Sequence, residues 1–220
     1  DIDYRYMIDF NNIKLSKIMD IVNVDYDGFD FNLNSQKLFL SGSGKPFKMF
    51  ITGPSEINHL VLKPEENKKT DQKSNCKVGF NVAIDNKRLM FIDENKGFCS
   101  YKNQTIPENS ENLKISGSIP FKGGIDLSIE THKIDLKIPS EILGLKLEGT
   151  GDLSLKFKEI EKKTQINILA QSENTYFSDI ELGSVLTDMT INDGILFFNK
   201  FDFLRNKTRA SALGQINLKT

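Results

Sequence analysis

Apolar side chains occupy every second position over much of the chain, and polar or charged side chains fill the positions between them. Such runs occur at residues 2–10, 29–33, 78–84, 113–119, 125–129, 134–138, 153–157 and 166–170. Alternation of this kind places one face of a β-strand against apolar surroundings and the other face in water. It is typical of antiparallel sheets, because parallel sheets are covered on both faces. The pattern therefore predicts an all-β protein built from antiparallel strands.

Turn residues and polar loops divide this strand pattern into sections. A tight hairpin is predicted at residues 85–87, and short helical turns are predicted at 14–21 and 140–143. Residues 64–75 contain no apolar side chain except Pro64, so we expect a flexible loop there. The predicted sections are 1–62 (front β section), 63–75 (flexible polar loop), 76–112 (middle β-hairpin section) and 113–220 (β repeat section).

Periodicity alone allows two arrangements of these strands. In a closed β-sandwich, the apolar faces of two sheets pack against each other. In an open and curved sheet, the same faces line a trough. A shift of one residue in the pairing of a strand would move its apolar set to the opposite face, so the register decides what the apolar positions line. Both arrangements remain open at this point.

Charge and length exclude some classes of function. The chain has 29 basic and 30 acidic side chains, a net charge of -1, so it offers no cationic field for a phosphate backbone and we expect no nucleic-acid partner. No stretch approaches the roughly 20 apolar residues that span a bilayer. Both ends of the sequence fall in strand-like pattern, so we expect an excerpt of a longer polypeptide whose membrane anchor lies elsewhere.

Residues with catalytic or metal-binding chemistry are few. His59 and His132 are the two histidines, and neither stands at a ligand spacing from a cysteine. No nucleophile elbow, phosphate-binding glycine loop or zinc-protease motif is present, so we expect a protein that is not an enzyme and has no cofactor or metal. Cys76 and Cys99 form a disulfide if the compartment is oxidising, and otherwise remain free thiols.

Five segments of the second half resemble the repeats of AsmA/TamB-like proteins of the bacterial envelope. They are GIDLSI at 124–129, KIDL at 133–136, LEGTGDLSL at 147–155, GSVLTDMTINDGILF at 183–197 and RASALGQINL at 209–218. In that family, strands of these types follow one another in a repeating β-groove. The segment NIKLSKIM at 12–19 resembles, more loosely, the short dip that precedes a new strand.

The resemblance implies an elongated, curved β-groove (β-taco) with an apolar interior, with the closed β-sandwich as the alternative. It also implies a periplasmic segment of an inner-membrane-anchored protein that carries phospholipid acyl chains or assists outer-membrane biogenesis, in contact with outer-membrane assembly proteins. The alternative function is a structural or protein-binding module of the envelope. The residues expected to line the groove are Ile125, Leu127, Ile129, Ile134, Leu136, Leu153, Leu155, Phe157, Ile166 and Ile168.

Overall fold

A computed structural model describes residues 3–14, 17, 29–44, 47–62, 74–101, 111–143, 146–160 and 163–217. They form one twelve-stranded antiparallel sheet in which each strand pairs with the next along the chain. The strands are β1 (Asp3–Lys14), β2 (Phe29–Gly44), β3 (Phe47–Leu62), β4 (Ser74–Asp85), β5 (Arg88–Tyr101), β6 (Leu113–Pro120), β7 (Asp126–Asp135), β8 (Leu147–Ile160), β9 (Lys163–Phe177), β10 (Ile180–Asn192), β11 (Ile195–Arg205) and β12 (Thr208–Asn217). One helix, α1 (Lys137–Leu143), lies between β7 and β8.

The sheet is open, because among the described residues β1 and β12 pair only with β2 and β11 and not with each other. The predicted all-β, antiparallel groove is therefore confirmed. The alternative of a closed sandwich is wrong, since a sandwich requires two sheets and these strands form one. The described part of the chain contains no helix long and apolar enough to cross a bilayer.

Bulges curve the sheet. Residues with left-handed backbone angles stand within strands at Asn12, Lys37, Asp93, Lys133 and Asn174. Register shifts accompany them, as between Thr131 and Ile134 of β7. Side-chain oxygens accept hydrogen bonds from the backbone at two of these bulges: Asp9 Oδ1 from Lys37 N and Asp152 Oδ1 from Lys133 N, each at 2.8 Å. Bulges bend a strand and increase its twist, and here they recur across the sheet.

The start of α1 differs from the sequence prediction. The alternation at residues 134–138 predicts a continuous strand, but β7 ends at Asp135 and the helix begins at Lys137. The Asp135 carboxylate accepts a hydrogen bond from Lys137 N at 2.9 Å, as an N-terminal capping residue does. Pro139 lies in the first turn, where its missing N–H costs no helical hydrogen bond. The cap and the proline together end the strand earlier than periodicity predicts.

The predicted hairpin at residues 85–87 is confirmed between β4 and β5. Asp85 Oδ1 accepts hydrogen bonds from Lys87 N at 2.7 Å and from Arg88 N at 3.0 Å. The bond from the Lys87 backbone is the largest cause of a lowered pKa at Asp85. Of the helical turn predicted at 14–21, Lys14 is the last residue of β1, and all the rest but Lys17 lies outside the described residues.

The predicted polar loop at 63–75 falls largely on residues 63–73, which are outside the described residues. Ser74 and Asn75, the last two residues of that prediction, belong to strand β4. The predicted front, middle and repeat sections all contribute strands to the same sheet.

Candidate functional site

The strand register places alternate residues of β7–β12 on one face of the sheet, which we call the inner face. Side chains of directly opposed residues form rows that run across the strands. The first row consists of Leu127, Phe157, Ile166, Ile191, Leu196 and Ile216. The second row consists of Ile129, Leu155, Ile168, Met189, Phe198 and Gly214.

Two further rows complete the inner face of these strands. The third consists of Thr131, Leu153, Ala170, Thr187, Phe201 and Ala212. The fourth consists of Ile134, Gly151, Ser172, Val185, Phe203 and Ala210. No charged side chain stands in any of the four rows. The few hydroxyls have partners within the protein: Ser172 Oγ and Thr175 Oγ1 lie 2.6 Å apart, and Thr187 Oγ1 donates to Lys200 O at 3.1 Å.

The first row continues into the front half of the sheet. From Leu127 it passes through Gly117, Phe91, Val82, Ile51, Leu40 and Tyr6, one residue from each strand back to β1. At a strand spacing of about 4.8 Å, eleven intervals give an apolar row of roughly 50 Å. The inner face is thus continuous across all twelve strands.

Most of the residues predicted to line a groove lie on this face. Of the ten, eight are strand residues of the four rows in β7, β8 and β9. The other two flank β7: Ile125 directly precedes it, with its carbonyl oxygen accepting from Glu159 N at 3.0 Å, and Leu136 follows it, with its N–H donating to Gly149 O at 3.0 Å. Thr131 and Ile134 are three residues apart, which would place them on opposite faces of a regular strand. The bulge at Lys133 takes up the extra residue and keeps Ile134 on the same face as Leu127.

Sequence reasoning missed the apolar inner-face residues of β10 and β11. These are Val185, Met189, Ile191, Leu196, Phe198, Phe201 and Phe203. In β11, Phe198 and Phe201 are three residues apart, which breaks the period of two. The structure shows that Asn199 is an extra residue at this point, since Asp188 pairs with Lys200 and Met189 pairs with Phe198. The cluster of phenylalanines in β11 was the available signal.

The three phenylalanines of β11 form an aromatic ladder along the inner face. The ring centroids of Phe198 and Phe201 are 6.1 Å apart, and those of Phe201 and Phe203 are 6.4 Å apart, both in edge-to-face geometry. Their partners in β12 are Gly214, Ala212 and Ala210. Because these partners are small, they cover little of the rings, and all three phenylalanines are half-buried.

Helix α1 covers the inner face of the middle strands. Ile138 of α1 is only 3% exposed and packs in one cluster with Val78, Cys99, Leu113 and Ile134. The helix contacts β3, β5 and β8. We call β3–β7, where this cluster lies, the covered section of the sheet. Its apolar side chains at the cluster form a filled core.

Strands β8–β12, which we call the open section, lack such a cover in the described part of the chain. β9–β12 contact chiefly their neighbours in the sheet, and α1 reaches only β8. Leu155, Phe157, Ile166 and Ile168 are half-buried, although their rows are as apolar as those of the covered section. Within the described residues, the open section therefore presents an accessible apolar trough along its first and second rows, whereas Ser172, Val185 and Thr187 of the other two rows are buried.

Polar groups collect outside the trough. A shallow concavity of about 480 Å³ near the bulge of β7 is lined in part by Glu111, Asn112, His132 and Asp152. His132 Nδ1 lies 3.8 Å from Asp152 Oδ2, and both side chains are more than half exposed. The described residues contain no group of three or more His, Cys, Asp or Glu side chains able to hold a metal ion.

Glu111 also bonds a lysine at the edge of this concavity. Its carboxylate lies 3.0 Å from Lys96 Nζ, and this hydrogen bond is the largest cause of a raised pKa at Lys96. Both side chains are about half exposed, so the contact is a surface ion pair of the kind that contributes little to stability.

Cys76 and Cys99 are directly opposed on β4 and β5, and the structure joins them in a disulfide. The bridge lies within the covered section, beside Ile138. Asn112, directly before β6, bonds the same segment: its side-chain amide accepts a hydrogen bond from Cys99 N at 2.7 Å and donates one to Cys99 O at 3.0 Å. The disulfide and these two hydrogen bonds hold β4, β5 and Asn112 together in the covered section.

Comparisons with protein-family models, with curated proteins and with solved structures found no match for this chain. The resemblance to the AsmA/TamB-like repeats therefore rests on the sequence segments themselves.

Proposed function

We propose that this chain is a lipid-binding groove segment, in which the open section holds phospholipid acyl chains against its inner face. The observation that carries this proposal is the inner face of β8–β12: its four rows contain no charged side chain, and the apolar side chains of its first two rows are only half-buried or exposed. A soluble domain seldom leaves a contiguous apolar surface uncovered unless something binds there.

The dimensions and the chemistry of the trough suit an acyl chain. Five strands at about 4.8 Å give a trough of roughly 19 Å along the rows, comparable to an extended fatty acyl chain. Burial of each CH₂ group contributes about 0.8 kcal/mol, so holding one chain offsets a hydration cost on the order of 10 kcal/mol. The inner face offers few free polar groups, which favours a long apolar chain over a ligand recognised by hydrogen bonds.

The aromatic ladder of β11 adds flat contact area at the end of the trough. Phe198, Phe201 and Phe203 provide large apolar surfaces that need no polar partner. Such surfaces accept chains of different length and saturation, so we propose binding of phospholipids as a class.

The disulfide supports placement in an oxidising compartment, because such bonds persist in the periplasm and outside the cell and are rare in the cytosol. Together with the resemblance of residues 124–218 to envelope repeats, it favours a periplasmic protein that assists phospholipid movement or outer-membrane biogenesis. Contact with a membrane and with outer-membrane assembly proteins is part of the same proposal.

Photo-crosslinking at two adjacent residues of β9 tests the proposal. A benzophenone side chain replaces either Ile168, which is on the inner face, or Leu169, which is on the outer face and 50% exposed. The purified proteins are mixed with vesicles of phosphatidylethanolamine and phosphatidylglycerol and irradiated. Their intact masses are then measured by mass spectrometry. We expect phospholipid adducts at position 168 and few at position 169.

The pair is matched because both residues are apolar, lie on the same strand and differ only in the face they occupy. Equal labelling at both positions would mean that vesicles contact any apolar surface, and it would contradict a groove. No labelling at position 168 would also contradict the proposal. As a second variant, Ile168→Glu should abolish lipid capture by a probe at Leu155, whereas Leu169→Glu should not.

A further inference from the structure

The last strand of the sheet, β12, has a free edge within the part of the chain that the structure describes. It pairs with β11 on one side only, and nearly all its residues are exposed. An edge strand presents unpaired N–H and C=O groups and can accept another strand, so proteins usually protect such edges with charges, bulges or prolines.

The two edges of the sheet differ in this protection. β1 carries Asp3, Arg5 and Asp9, and its register shifts twice, the second time across the left-handed Asn12. β12 has no proline and no left-handed residue, and its one charged side chain, Arg209, is bonded to Asp202 of β11 at 2.8 Å. β12 is therefore the edge that remains suitable for pairing.

β12 also carries the most exposed large apolar side chain among the described residues. Leu213 is 78% exposed, and it lies on the outer face because its neighbours Ala212 and Gly214 belong to the inner face. No residue of β11 pairs with Leu213, because the bulge formed by Asn199 and Lys200 stands opposite it.

The sequence of β12 is complementary to itself when two copies run antiparallel about a two-fold axis at Leu213. In that register, Leu213 faces Leu213 of the second copy, and Ala212 faces Gly214. Ala210 faces Ile216, so a small side chain meets the large one that is 51% exposed at the edge. No two like charges stand opposite each other, and inner-face residues meet only inner-face residues.

We infer that β12 is a homodimer interface, at which two copies of this chain pair edge to edge about a two-fold axis. The pairing joins two twelve-stranded sheets into one. It also joins the two open sections, with the two β12 strands between their aromatic ladders, and so doubles the length of the trough. The inference does not depend on what the trough binds.

A head-to-tail pairing of β12 with β1 fits less well. Keeping the inner-face rows in line sets Ile216 opposite Tyr6, and this register places Asp9 opposite Leu213 and Met7 opposite Gln215. A carboxylate would then face the most exposed leucine, and the bulge at Asn12 would interrupt the ladder. A two-fold interface, moreover, closes with two copies, whereas a head-to-tail interface continues into a ring or an open filament.

Cysteine crosslinking of the 220-residue chain tests the register. Leu213→Cys places two thiols directly opposite each other across the axis, and we expect a covalent dimer after mild oxidation. Ser211→Cys is the matched control, because its partner in this register is Gln215, and Ser211 of the second copy lies out of bonding distance. The double variant Ser211→Cys/Gln215→Cys should again form a dimer. Peptide mapping distinguishes these bonds from the native bridge between Cys76 and Cys99.

Sedimentation of the uncrosslinked protein gives a second measurement. We expect a dimer whose dissociation constant increases at least about tenfold in Leu213→Lys, because two lysines then face each other. Leu169→Lys, an equally apolar outer-face position on the interior strand β9, should leave it unchanged. A monomer at all concentrations, equal effects of the two lysines, or crosslinks of Leu213→Cys only to chains carrying Asp9→Cys would each overturn the inference.

Discussion

The covered and open sections of the sheet have the same pattern of residues but different surroundings. In the covered section, Val78 and Leu113 are buried against Ile138 of α1. In the open section, Leu155 and Ile168 stand in equally apolar rows and remain half-buried. One short helix accounts for this difference in the described part of the molecule, since it packs against β3 and β5 of the covered section and reaches only the first strand, β8, of the open section.

The comparison shows that a period of two predicts which residues share a face but not what that face contacts. A filled core and an accessible trough arise here from neighbouring strands of one sheet. In the proposed function, stability and binding are separated along the molecule: the covered section supplies buried contacts, and the open section leaves apolar surface available.

The largest expected effect comes from removing the helix's buried side chain. Ile138→Ala deletes a side chain that is 3% exposed and should lower the free energy of unfolding by about 2–5 kcal/mol. The same substitution at Ile168 removes a half-buried side chain and should cost roughly 1–2 kcal/mol, because less surface leaves an apolar environment. Urea denaturation of both variants measures the difference.

Intrinsic propensities oppose the expected difference between the two variants, so they cannot be its cause. Alanine favours a helix and disfavours a strand relative to isoleucine, so propensity alone would make Ile168→Ala the more costly change. A cost at Ile168 equal to that at Ile138 would mean that the open section is packed as tightly as the covered one, and it would contradict the accessible trough.

Removing the disulfide should lower the stability of the protein but leave the binding surface of the open section intact. The bridge closes a loop with a sequence separation of 23, for which loop-closure entropy gives a stabilisation of about 3 kcal/mol. Cys76→Ala/Cys99→Ala should therefore be less stable in urea by about that amount. Lipid capture by a probe at Ile168 should persist in the folded variant, because the bridge lies outside the open section.

The two measurements on this variant separate stability from binding. Loss of lipid capture under conditions where circular dichroism shows a folded sheet would mean that the covered section contributes to the binding surface. The wild-type protein treated with a thiol reductant serves as the control for the two substitutions.

Most of the strands could be predicted from sequence because alternation is a local property. In β8, Leu153, Leu155 and Phe157 alternate without a bulge, and the strand register keeps all three on one face. In β11 the extra residue Asn199 shifted the alternation, and the inner-face phenylalanines there were missed. A bulge changes the period at one residue, and nothing in local composition marks that residue.

The division into covered and open sections could not be predicted for a different reason. It depends on where α1 packs, and that is a contact between Ile138 and residues far earlier in the chain, such as Val78. Periodicity assigned Ile138 to a strand, so the residue that fills the covered section was itself misplaced. The cap at Asp135 and the proline at 139 were present in the sequence as signals for the helix.

The smallest expected effect concerns the edge of the open section. Asp202 of β11 accepts hydrogen bonds from Ser211 and Arg209 of β12, and these bonds, that of Ser211 foremost, lower its pKa below the ordinary value of 3.8. A carboxyl group whose pKa is lowered by folding stabilises the fold above its ordinary pKa, and this contribution is lost as the pH falls through the folded-state pKa.

Asp202→Asn should therefore lower the thermal midpoint slightly at pH 7, and the difference from wild type should shrink below pH 3.8 and vanish once the wild-type carboxyl is protonated. Asp85→Asn is the matched control: its pKa is also lowered, but through the Lys87 backbone in a turn of the covered section. Hydrogen exchange should show faster exchange of β12 amides in Asp202→Asn and not in Asp85→Asn. A uniform change over the whole sheet in both variants would mean that β12 unfolds only with the rest of the molecule, and the edge of the open section would then be no less stable than the covered core.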